Sequence, residues 1–563
     1  MNKHQGSFFR RWKHRFIGLA GALLFCLPAQ VFSQSTELTS QDNHALLYAH
    51  QLGFTSSGAP SVRIRIADGL EKLRFVPQGD FRVMPAGNGG AVIELKGGRV
   101  YEVTLKNAQP GHYQHGVIIG RAESVEALDD SRTECVARGF DCEIVPIGSV
   151  FALRGNVFDN RENILMTRRT ADMTTVRKLQ KLSQLPIDSS VDSHEIHSEL
   201  LTYPTAQISF RDESGMIRVL HQNLMWIELP ESGAKLYDII GEDGKPHALV
   251  INSKLIVTPD QNGRLAVVQS ADIETVLRGI VPAEIFASAP EAALMAQAIA
   301  ARTTLIGQVG TRHFADPWHL CNQQHCQVYR GLSGADSRTD KAIEKTRGQV
   351  MFSDKNLVQS YYSAHCGGMS AGSLETWGLP ERSYLVSRSD DAQERGAFFS
   401  NDASFLAWWH DSSKDYCGSA PSGVKPFASA KHARWSKEIS ISDIEKSLKK
   451  AGKSMGRIQE IQILERGESY RVTRMKLVGT EGEYEISREL PIRRFLGGLK
   501  SALFVMEVRK RGQFVESISL KGAGFGHGVG MCQTGAIGMA QRGKTAVEIL
   551  QHYFHGSRIE TLW

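Results

Sequence analysis

The sequence lacks the marks of several large classes of protein. Beyond residue 33 no apolar run approaches the length of about 20 residues that a transmembrane helix needs, so we expect no membrane span in the mature chain. No stripe of Lys and Arg interleaved with aromatic residues is present, which argues against a nucleic-acid partner. The chain also has no internal repeat. Its 563 residues, 41% hydrophobic and 22% charged, are typical of a globular protein with roughly two to four domains.

Residues 1–33 have the pattern of an export signal. Arginines and a lysine between positions 10 and 15 precede an apolar run over 16–27, and small residues offer a cleavage site after Ser33. We therefore predict a cleaved signal peptide and an exported protein of the periplasm or cell-wall space. An uncleaved anchor is the alternative.

The cysteines indicate a disulfide. The chain has 8 cysteines, and Cys26 lies in the predicted signal. An oxidising compartment favours disulfide formation. Cys135 and Cys142 flank one predicted helix-to-strand turn, CVARGFDC, so we predict that they bridge.

The patterning predicts a multi-domain α+β protein. Alternating strands with glycine-rich turns predict a β-rich domain over 34–110. Residues 111–181 have a β-α-β-β-α order whose second helix we place over 159–169. Residues 182–202 are polar and rich in Ser and Asp, which indicates a linker. From residue 203 strands resume and lead into a larger α+β domain, 203–563.

The stretch 281–331 combines a helix with several chemically active side chains. Pro290 marks the start of an alanine-rich helix and Gly307 its end. So many alanines allow close packing, which predicts a buried helix. Arg302 inside it needs an anionic partner, either from the protein or from a ligand.

Glu284 lies just before that helix, among apolar residues. A carboxyl group desolvated by such neighbours has a raised pKa, which suits a general acid. The alternative is a glutamate at the surface or at a helix end, where it has no chemical role.

A group of metal-ligating side chains follows the helix. Its members are His313, His319, Cys321, His325 and Cys326. Thiolates and imidazoles are the ligands that zinc prefers, and four of them close a structural tetrahedron. The C-x4-C spacing is not a common zinc-finger pattern, so a Cys321–Cys326 disulfide with solvated histidines is the alternative.

Near the C-terminus glycines alternate at positions 522 to 530. The pattern is not G-x-G-x-x-G and no P-loop lysine is present, which argues against nucleotide binding. Glycines at this spacing let backbone approach a ligand or a strand closely. His527 and Gln533 are the polar side chains that such a strip would present to a sugar.

Three motifs together resemble one family. VPAE at 281–284, HLCNQQHCQVYRG at 319–331 and FGHGVGMCQTGAIGMAQRG at 525–543 are similar to segments of the SpoIID/LytB family, the sporulation lytic transglycosylases and amidase enhancers of bacterial cell walls. The resemblance covers roughly 240–563, with an α+β insertion at about 400–505. It departs from the family at His319, where an aspartate is usual, and at Cys532, where serine is usual.

The resemblance implies roles for particular residues. Glu284 occupies the position of the family's catalytic glutamate. The zinc ligands would be Cys321, His325, Cys326 and either His313 or His319, and such a zinc would be structural. We predict substrate contacts from the following residues: Arg302, Gln327, Tyr329, His527 and Gln533. The resemblance also implies a Cys366–Cys417 disulfide, which leaves Cys532 free and buried.

The smaller module has a resemblance of its own. The element order over 111–181 and the phrase GNVFDNRENI are similar to the SPOR module, which binds peptidoglycan glycan stripped of its peptides. An ordinary ferredoxin-like α+β domain is the alternative.

The resemblance implies a lytic transglycosylase that cleaves the β-1,4 bond between N-acetylmuramic acid and N-acetylglucosamine. Glu284 would act as the single acid and base, and no cofactor would be required for the chemistry. The expected substrate is denuded glycan strands, supplied by a cell-wall amidase. A non-catalytic glycan-binding enhancer of such an amidase is the alternative from a different class. Metal-dependent hydrolysis is disfavoured, because the His/Cys group has no Asp or Glu among its members and looks like a closed site.

Overall fold

The computed structural model describes residues 40–85, 90–153, 156–182, 195–240, 244–379, 381–391, 399–410, 415–418, 427 and 431–563. It is a multi-domain α+β protein with several sheets. The predicted signal, 1–33, lies outside these residues. In the described part of the chain no helix is both long and apolar enough to span a membrane.

The helices of the described residues are, in chain order, α1 Ser40–Leu47, α2 Asp129–Ala137, α3 Met173–Leu182, α4 Ile273–Glu284, α5 Glu291–Gly307, α6 Ser337–Lys345, α7 Ser373–Trp377, α8 Asp402–His410, α9 Ile441–Lys450, α10 Glu489–Phe495, α11 Gln533–Gln541 and α12 Ala546–Tyr553. Short 3₁₀ turns lie at Glu126–Leu128 and Gly331–Gly334.

The strands up to α4 are β1 Gly53–Phe54, β2 Pro60–Leu70, β3 Lys72–Pro77, β4 Phe81–Met84, β5 Ile93–Leu95, β6 Tyr101–Gln109, β7 His112–Ala122, β8 Cys142–Ile147, β9 Val150–Leu153, β10 Asn156–Asp159, β11 Glu162–Thr167, β12 Ile196–Thr202, β13 Thr205–Asp212, β14 Arg218–Gln222, β15 Met225–Glu228, β16 Ala234–Ile240, β17 Pro246–Ile251, β18 Lys254–Pro259 and β19 Leu265–Asp272. The later strands are β20 Leu320–Cys321, β21 Gln349–Ser353, β22 Asn356–Leu357, β23 Tyr362–Ser363, β24 Arg434–Ser440, β25 Ile458–Arg466, β26 Val472–Gly479, β27 Gly482–Ser487, β28 Phe504–Arg511, β29 Phe514–Ala523, β30 Met531–Cys532 and β31 Arg558–Thr561.

Strands from 53–109 and from 205–272 share two sheets. One has the order β1-β2-β19-β18-β15-β4-β5, and the other has the order β14-β13-β6-β3-β16-β17. β2 pairs with β19 and β6 with β13, both antiparallel. The predicted boundary between a separate β-rich domain at 34–110 and the later domain is therefore wrong. Alternation in the sequence predicts strands, but pairing between strands far apart in the chain has no local signal.

The module at 112–202 is inserted between two paired strands, β6 and β13. Its sheet has the order β12-β7-β11-β8. The predicted Cys135–Cys142 disulfide is present and joins α2 to β8. Residues 159–169, predicted as a helix, contain the buried strand β11 instead, because a short apolar run fits either structure. The predicted linker contains β12, which pairs with β7; residues 183–194 of it lie outside the described residues.

The helices α4 and α5 lie in the largest apolar core. α4 follows β19 directly, and the Asp272 side chain caps it by accepting from the N–H groups of Glu274 and Thr275. α5 is the predicted alanine-rich helix, and most of its residues are buried. It packs against α4, α6, α11 and α12. A second core, formed by the strands and helices between 435 and 520, contains most of the predicted insertion and extends it through β29.

Candidate functional site

Glu284 is the last residue of α4 and has little hydrogen-bonding support. The side chain is half-buried, and its Oε1 accepts one hydrogen bond, from the Val328 N–H at 3.2 Å. Burial raises the pKa of Glu284, against the opposing effects of the Val328 N–H and the Arg330 charge. The carboxyl therefore holds its proton to a higher pH than an ordinary glutamate does, as a general acid requires.

Two breaks in the helical backbone place Glu284 at an edge. α4 ends because Ile285 has an extended conformation, with its N–H bonded to the Val281 carbonyl at 3.0 Å. α5 begins six residues later, after Pro290. The carboxyl thus projects from a connection between two buried helices, which gives it a rigid base and leaves one side accessible.

Gln533 holds the backbone of Glu284. Its Nε2 donates to the Glu284 carbonyl at 2.9 Å and to the Gln297 Oε1 at 3.1 Å. Gln533 is only 9% exposed and is the first residue of α11. The Nε2 of the amide is thus used within the fold, and the predicted direct substrate contact of Gln533 stays a prediction. Gln533 is a positioning residue that connects the C-terminal motif to Glu284.

Gln327 and Tyr329 are also anchors and not substrate contacts. Gln327 donates to the Ala301 carbonyl at 3.2 Å and accepts from the Tyr362 hydroxyl at 3.0 Å. The Tyr329 hydroxyl donates to Gln269 at 2.6 Å. Both side chains are buried, so the predicted substrate roles are wrong. Together they fix the segment 327–329, whose middle residue, Val328, donates its N–H to Glu284.

Arg302 finds its anionic partner inside the protein. It is 0% exposed, and its Nε and Nη2 donate to the two carboxylate oxygens of Glu274 at 3.0 and 2.6 Å. The Gly348 N–H and the Trp563 indole N–H donate to the same carboxylate. A guanidinium paired and enclosed in this way cannot reach a ligand, so the predicted substrate contact of Arg302 is wrong.

His527 uses both ring nitrogens within the fold. Nδ1 accepts from the Val529 N–H at 3.0 Å, and Nε2 lies 3.1 Å from the Tyr362 carbonyl, to which it donates as the neutral ring. Burial lowers the pKa of His527 to about 4, which keeps the ring neutral at physiological pH. Both ring nitrogens are therefore used within the fold, and the substrate role of His527 stays a prediction.

The glycine strip serves close backbone packing. A Cβ on Gly530 would lie 2.1 Å from the Tyr361 carbonyl oxygen, and one on Gly528 would lie 2.2 Å from the Arg471 guanidinium. Both glycines have positive φ, 70° and 82°. Of the two alternatives for this strip, the structure supports approach to protein backbone.

The His/Cys group converges as one cluster. The ligand atoms of His313, Cys321, His325 and Cys326 all lie within 4.8 Å of one another. Nε2 of His313 is 3.3 Å from the Cys326 sulfur, and Nδ1 of His325 is 3.6 and 3.8 Å from the sulfurs of Cys326 and Cys321. A tetrahedron built from the usual zinc distances has sulfur–nitrogen edges of about 3.5 Å. The four donors therefore fit a zinc ion.

Other features of the cluster favour a closed site. Nδ1 of His313 bonds the Asp316 carboxylate at 3.0 Å, the arrangement that orients an imidazole whose other nitrogen binds metal. Cys321 and Cys326 are free thiols, contrary to the disulfide alternative. β20 pairs with β2 and anchors the loop to the large sheet.

His319 is not part of the cluster. It is 0% exposed, its Nδ1 accepts from the Arg63 N–H at 3.2 Å, and its ring packs on His50. The ring thus belongs to the sheet interface and not to the group of ligands. Of the two alternative fourth ligands, His313 and His319, it is His313 that lies in the cluster with the other three.

The predicted Cys366–Cys417 disulfide is not formed. The two sulfurs lie 3.6 Å apart and both residues are free thiols, whereas a disulfide bond is about 2.0 Å long. The prediction was right about proximity and wrong about bonding.

A cavity of about 610 Å³ lies between the inserted module and the core. Arg121 and Glu162 of the module, and Tyr361 and Trp377 of the core, are among the residues that line it. Glu284 does not line this cavity. The two aromatic rings contact each other with centroids 4.7 Å apart, so they form an apolar wall facing the module.

Sequence reasoning missed the neighbours that surround Glu284. These are Phe286, which is 54% exposed and packs on Phe427 with ring centroids 5.3 Å apart, and the Val328 N–H, the Arg330 charge and the half-buried Tyr362. The sequence shows Phe286 close to Glu284 as an apolar neighbour, but its exposure is a property of the fold. The others depend on tertiary contacts.

Two family models match the chain. Residues 261–352 match the model described as stage II sporulation protein, and residues 371–530 match a domain of unknown function (DUF8618). The first match contains Glu284, α5 and the His/Cys cluster. Neither match reaches the inserted module, so the SPOR resemblance stays a prediction.

Three curated relatives match parts of the chain. The chain is 26% identical to the amidase enhancer of Bacillus subtilis over 301 residues, 50% of this chain and 40% of the relative. It is 25% identical to an uncharacterized protein of Brachyspira hyodysenteriae over 297 residues, 52% of this chain and 68% of the relative. Stage II sporulation protein D of Bacillus subtilis is 45% identical over 62 residues, 11% of this chain and 17% of the relative.

The chain thus matches less than half the length of the amidase enhancer. The strong short match to the sporulation protein agrees with the family-model match over the segment that holds Glu284. Together with the enhancer relative, these matches show that the segment around Glu284 is similar to the SpoIID family, in agreement with the resemblance to SpoIID/LytB proteins.

Proposed function

We propose that this protein is a lytic transglycosylase of the cell wall, with Glu284 as its single acid and base. The observation that carries the proposal is the state of the Glu284 carboxyl: half-buried, raised in pKa, and supported by the Val328 N–H. Such a group keeps its proton to a higher pH than a carboxylate paired with a cation, and its ionised form is the better base, so it can serve first as the acid and then as the base.

In the proposed reaction Glu284 protonates the glycosidic oxygen as the bond from that oxygen to C1 of N-acetylmuramic acid breaks. The C6 hydroxyl of the same sugar attacks C1, and its proton passes to the Glu284 carboxylate. The product is a 1,6-anhydro ring, and the enzyme ends in its starting protonation state. Because the nucleophile belongs to the substrate, the reaction gains the advantage of an intramolecular step.

The surroundings of Glu284 agree with a mechanism that uses one carboxylate. Glycosidases that act through water or a covalent intermediate place a second carboxylate about 5 to 10 Å away. A like charge so close would raise the pKa of Glu284 further. The raised pKa of Glu284 is caused by burial, and the two groups that oppose it are the Val328 N–H and the positive charge of Arg330.

One exposed and several partly buried aromatic rings supply surfaces for a glycan in this proposal. In the proposal Phe286, two residues after Glu284, packs on the apolar face of a sugar ring and is itself supported by Phe427. Tyr361 and Trp377 would extend the contact into the cavity shared with the inserted module. Denuded glycan strands are the proposed substrate.

A structural zinc is part of the proposal. His313, Cys321, His325 and Cys326 would hold it, with Asp316 orienting the first of these. Bound zinc would tie together the loop that carries Val328, which follows the ligands directly. It would supply rigidity and no step of the reaction, since all four positions of the tetrahedron are protein ligands.

Export to the periplasm or cell-wall space is also proposed. The Cys135–Cys142 disulfide is typical of an oxidising compartment, and the named relatives are an amidase enhancer and a stage II sporulation protein.

A second candidate function is favoured by one relative. Because an amidase enhancer of Bacillus subtilis matches half of this chain, the protein could act without catalysis, by binding glycan and stimulating an amidase partner. Both functions need glycan binding, so catalysis by Glu284 separates them.

The test compares the products of the native protein and of Glu284→Gln. Intact peptidoglycan and amidase-treated glycan are digested, and the products are identified by mass spectrometry. We expect anhydro-muropeptides from the native protein and none from Glu284→Gln, with glycan binding retained. Glu291→Gln is the matched control, because Glu291 is an exposed glutamate paired with Lys345 in the next helix.

Other outcomes overturn the proposal. Reducing-end sugars would mean hydrolysis and a second carboxylate. Absence of products from the native protein, with glycan binding retained and stimulation of an added amidase, would establish the enhancer function.

A further inference from the structure

Three cysteines and one carboxylate meet in the core, away from the His/Cys cluster. They are Cys366, Asp390, Cys417 and Cys532, and their ligand atoms all lie within 4.8 Å of one another. Each side chain is 0 to 2% exposed. They come from four separate parts of the chain, so only the tertiary structure brings them together.

The spacing of the sulfurs fits metal coordination. The Cys366 and Cys417 sulfurs are 3.6 Å apart. Two thiolates on one zinc ion are about 3.8 Å apart, since each zinc–sulfur bond is about 2.3 Å and the geometry is tetrahedral. A disulfide needs about 2.0 Å and uses only two of the three sulfurs. Three convergent sulfurs with a carboxylate make up a complete set of four ligands.

Backbone N–H groups already point at one sulfur. The Cys366 N–H and the Gly535 N–H donate to the Cys532 sulfur at 3.1 and 3.3 Å. Cys532 caps the N-terminus of α11, where the helix dipole favours a negative charge. These contacts would support a thiolate bound to a metal, as outer-shell hydrogen bonds do at such sites.

Asp390 is oriented and lacks a strong countercharge. The Tyr553 hydroxyl donates to its Oδ1 at 2.6 Å, and the Cys417 N–H donates to its Oδ2 at 2.9 Å. Each carboxylate oxygen retains a lone pair. Among the ion pairs of the described residues, the partner of Asp390 is the His552 ring, whose Nε2 lies 3.7 Å from Oδ1. A buried carboxylate needs compensation, which a divalent cation would supply.

We propose that these four residues form a second metal site, which binds zinc as a closed structural centre. The donor set of three thiolates and one carboxylate suits a soft divalent ion, and full burial leaves no open position for substrate.

The site would stabilise the segment that positions Glu284. Cys532 is followed directly by Gln533, which holds the Glu284 carbonyl. β23 pairs with β30, which joins the Cys366 segment to the Cys532 segment. Zinc would therefore lock the start of α11 to two other segments and fix the residue behind the catalytic carboxyl. This second site is independent of whether the protein cleaves glycan.

The experiment counts metal in the full mature chain, exported to an oxidising compartment, purified without chelator and analysed by elemental mass spectrometry. Three variants are compared: Cys417→Ser, Cys532→Ser, and the double variant Cys321→Ser/Cys326→Ser, which removes the first cluster. We expect the double variant to retain one zinc per chain. Each single variant should contain one zinc fewer than the native chain.

A second readout needs no variant of the new site. The double variant is loaded with cobalt(II), and we expect the intense absorption of cobalt bound to thiolates. After unfolding with chelator, Cys366, Cys417 and Cys532 should all react with an alkylating reagent. If the Cys417→Ser protein fails to fold, the cobalt absorption and the alkylation of the double variant still test whether the second site binds metal.

Three results would overturn the proposal. They are a double variant that contains no metal, a Cys366–Cys417 disulfide found by peptide mapping under non-reducing conditions, and single variants with the metal content of the native chain.

Discussion

The two ends of helix α4 carry glutamates in opposite states. Glu274, in the first turn, is bound by Arg302 through two contacts and also accepts hydrogen bonds from Gly348 and Trp563. Glu284, at the last turn, accepts one hydrogen bond from Val328 and has a raised pKa. One helix thus holds a carboxylate whose charge is fully compensated and another whose charge is not. The compensated group stabilises the fold, and the other is available for chemistry.

The largest expected effect is the fall in the rate of catalysis when Glu284 is replaced by Gln. Loss of a general acid costs roughly 10²- to 10⁴-fold in rate, so we expect kcat to fall by that factor. The free energy of unfolding should stay equal or rise at neutral pH, because a neutral amide replaces a carboxyl whose charged form is disfavoured by burial. Kinetics on soluble glycan measures kcat, and chemical denaturation measures the free energy of unfolding. A large loss of stability would mean that Glu284 is structural.

Glu274→Gln should have the reverse effect. It leaves the Arg302 charge buried without a full partner, so we expect the free energy of unfolding to fall by about 3–5 kcal/mol. The fraction of the Glu274→Gln variant that folds should keep the kcat of the native protein. The control, Glu291→Gln, removes an exposed pair with Lys345 and should cost no more than about 1 kcal/mol. Equal losses from the two variants would remove the distinction between the paired and the unpaired ends of α4.

Gln533→Met tests how Glu284 is held in place. The change preserves volume and removes the hydrogen bonds to the Glu284 carbonyl and to Gln297. We expect the free energy of unfolding to fall by about 1–3 kcal/mol, since buried polar atoms lose their partner. A positioning role further predicts a lower kcat with KM nearly unchanged. Gln541→Met, at the far end of α11, is the control. A change in KM alone would indicate substrate contact instead.

The smallest expected effect is on the pH profile. The acid form of Glu284 is the active one, so kcat should fall as pH rises through its raised pKa, at a higher pH than for an ordinary glutamate. Arg330→Gln removes a charge that lowers this pKa, so the fall should move to still higher pH. Because the folded-state pKa lies above the unfolded one, the contribution of Glu284 to stability is lost over the same rise in pH. A shift to lower pH in Arg330→Gln would contradict the assignment.

The sequence was most informative where a local pattern carried the information. The helix α5 was correctly predicted from its alanines and its end signals, and the Cys135–Cys142 disulfide from the short sequence separation of 7 between the cysteines. The candidate role of Glu284 was recognised from a motif of four residues. In each of these cases the relevant neighbours are close in the chain.

The sequence was least informative where the deciding partner was distant. Arg302 and Glu274 are separated by 28 residues, and Gln533 and the Glu284 carbonyl by 249. A polar residue in a motif can face a ligand or the core, and only the hydrogen-bond partner distinguishes these. The strand pairing of β2 with β19, and the meeting of Cys366, Cys417 and Cys532, depend on long-range contacts of the same kind.

The sequence by itself determined the family motifs, the buried helix and the glutamate with apolar neighbours, since these properties depend on spacing along the chain. Only the tertiary structure decided that the Glu274 carboxylate is fully paired and that the Glu284 carboxyl is not. The physical reason is that burial and hydrogen bonding, which set the pKa of Glu284, arise from segments that meet only in the folded protein.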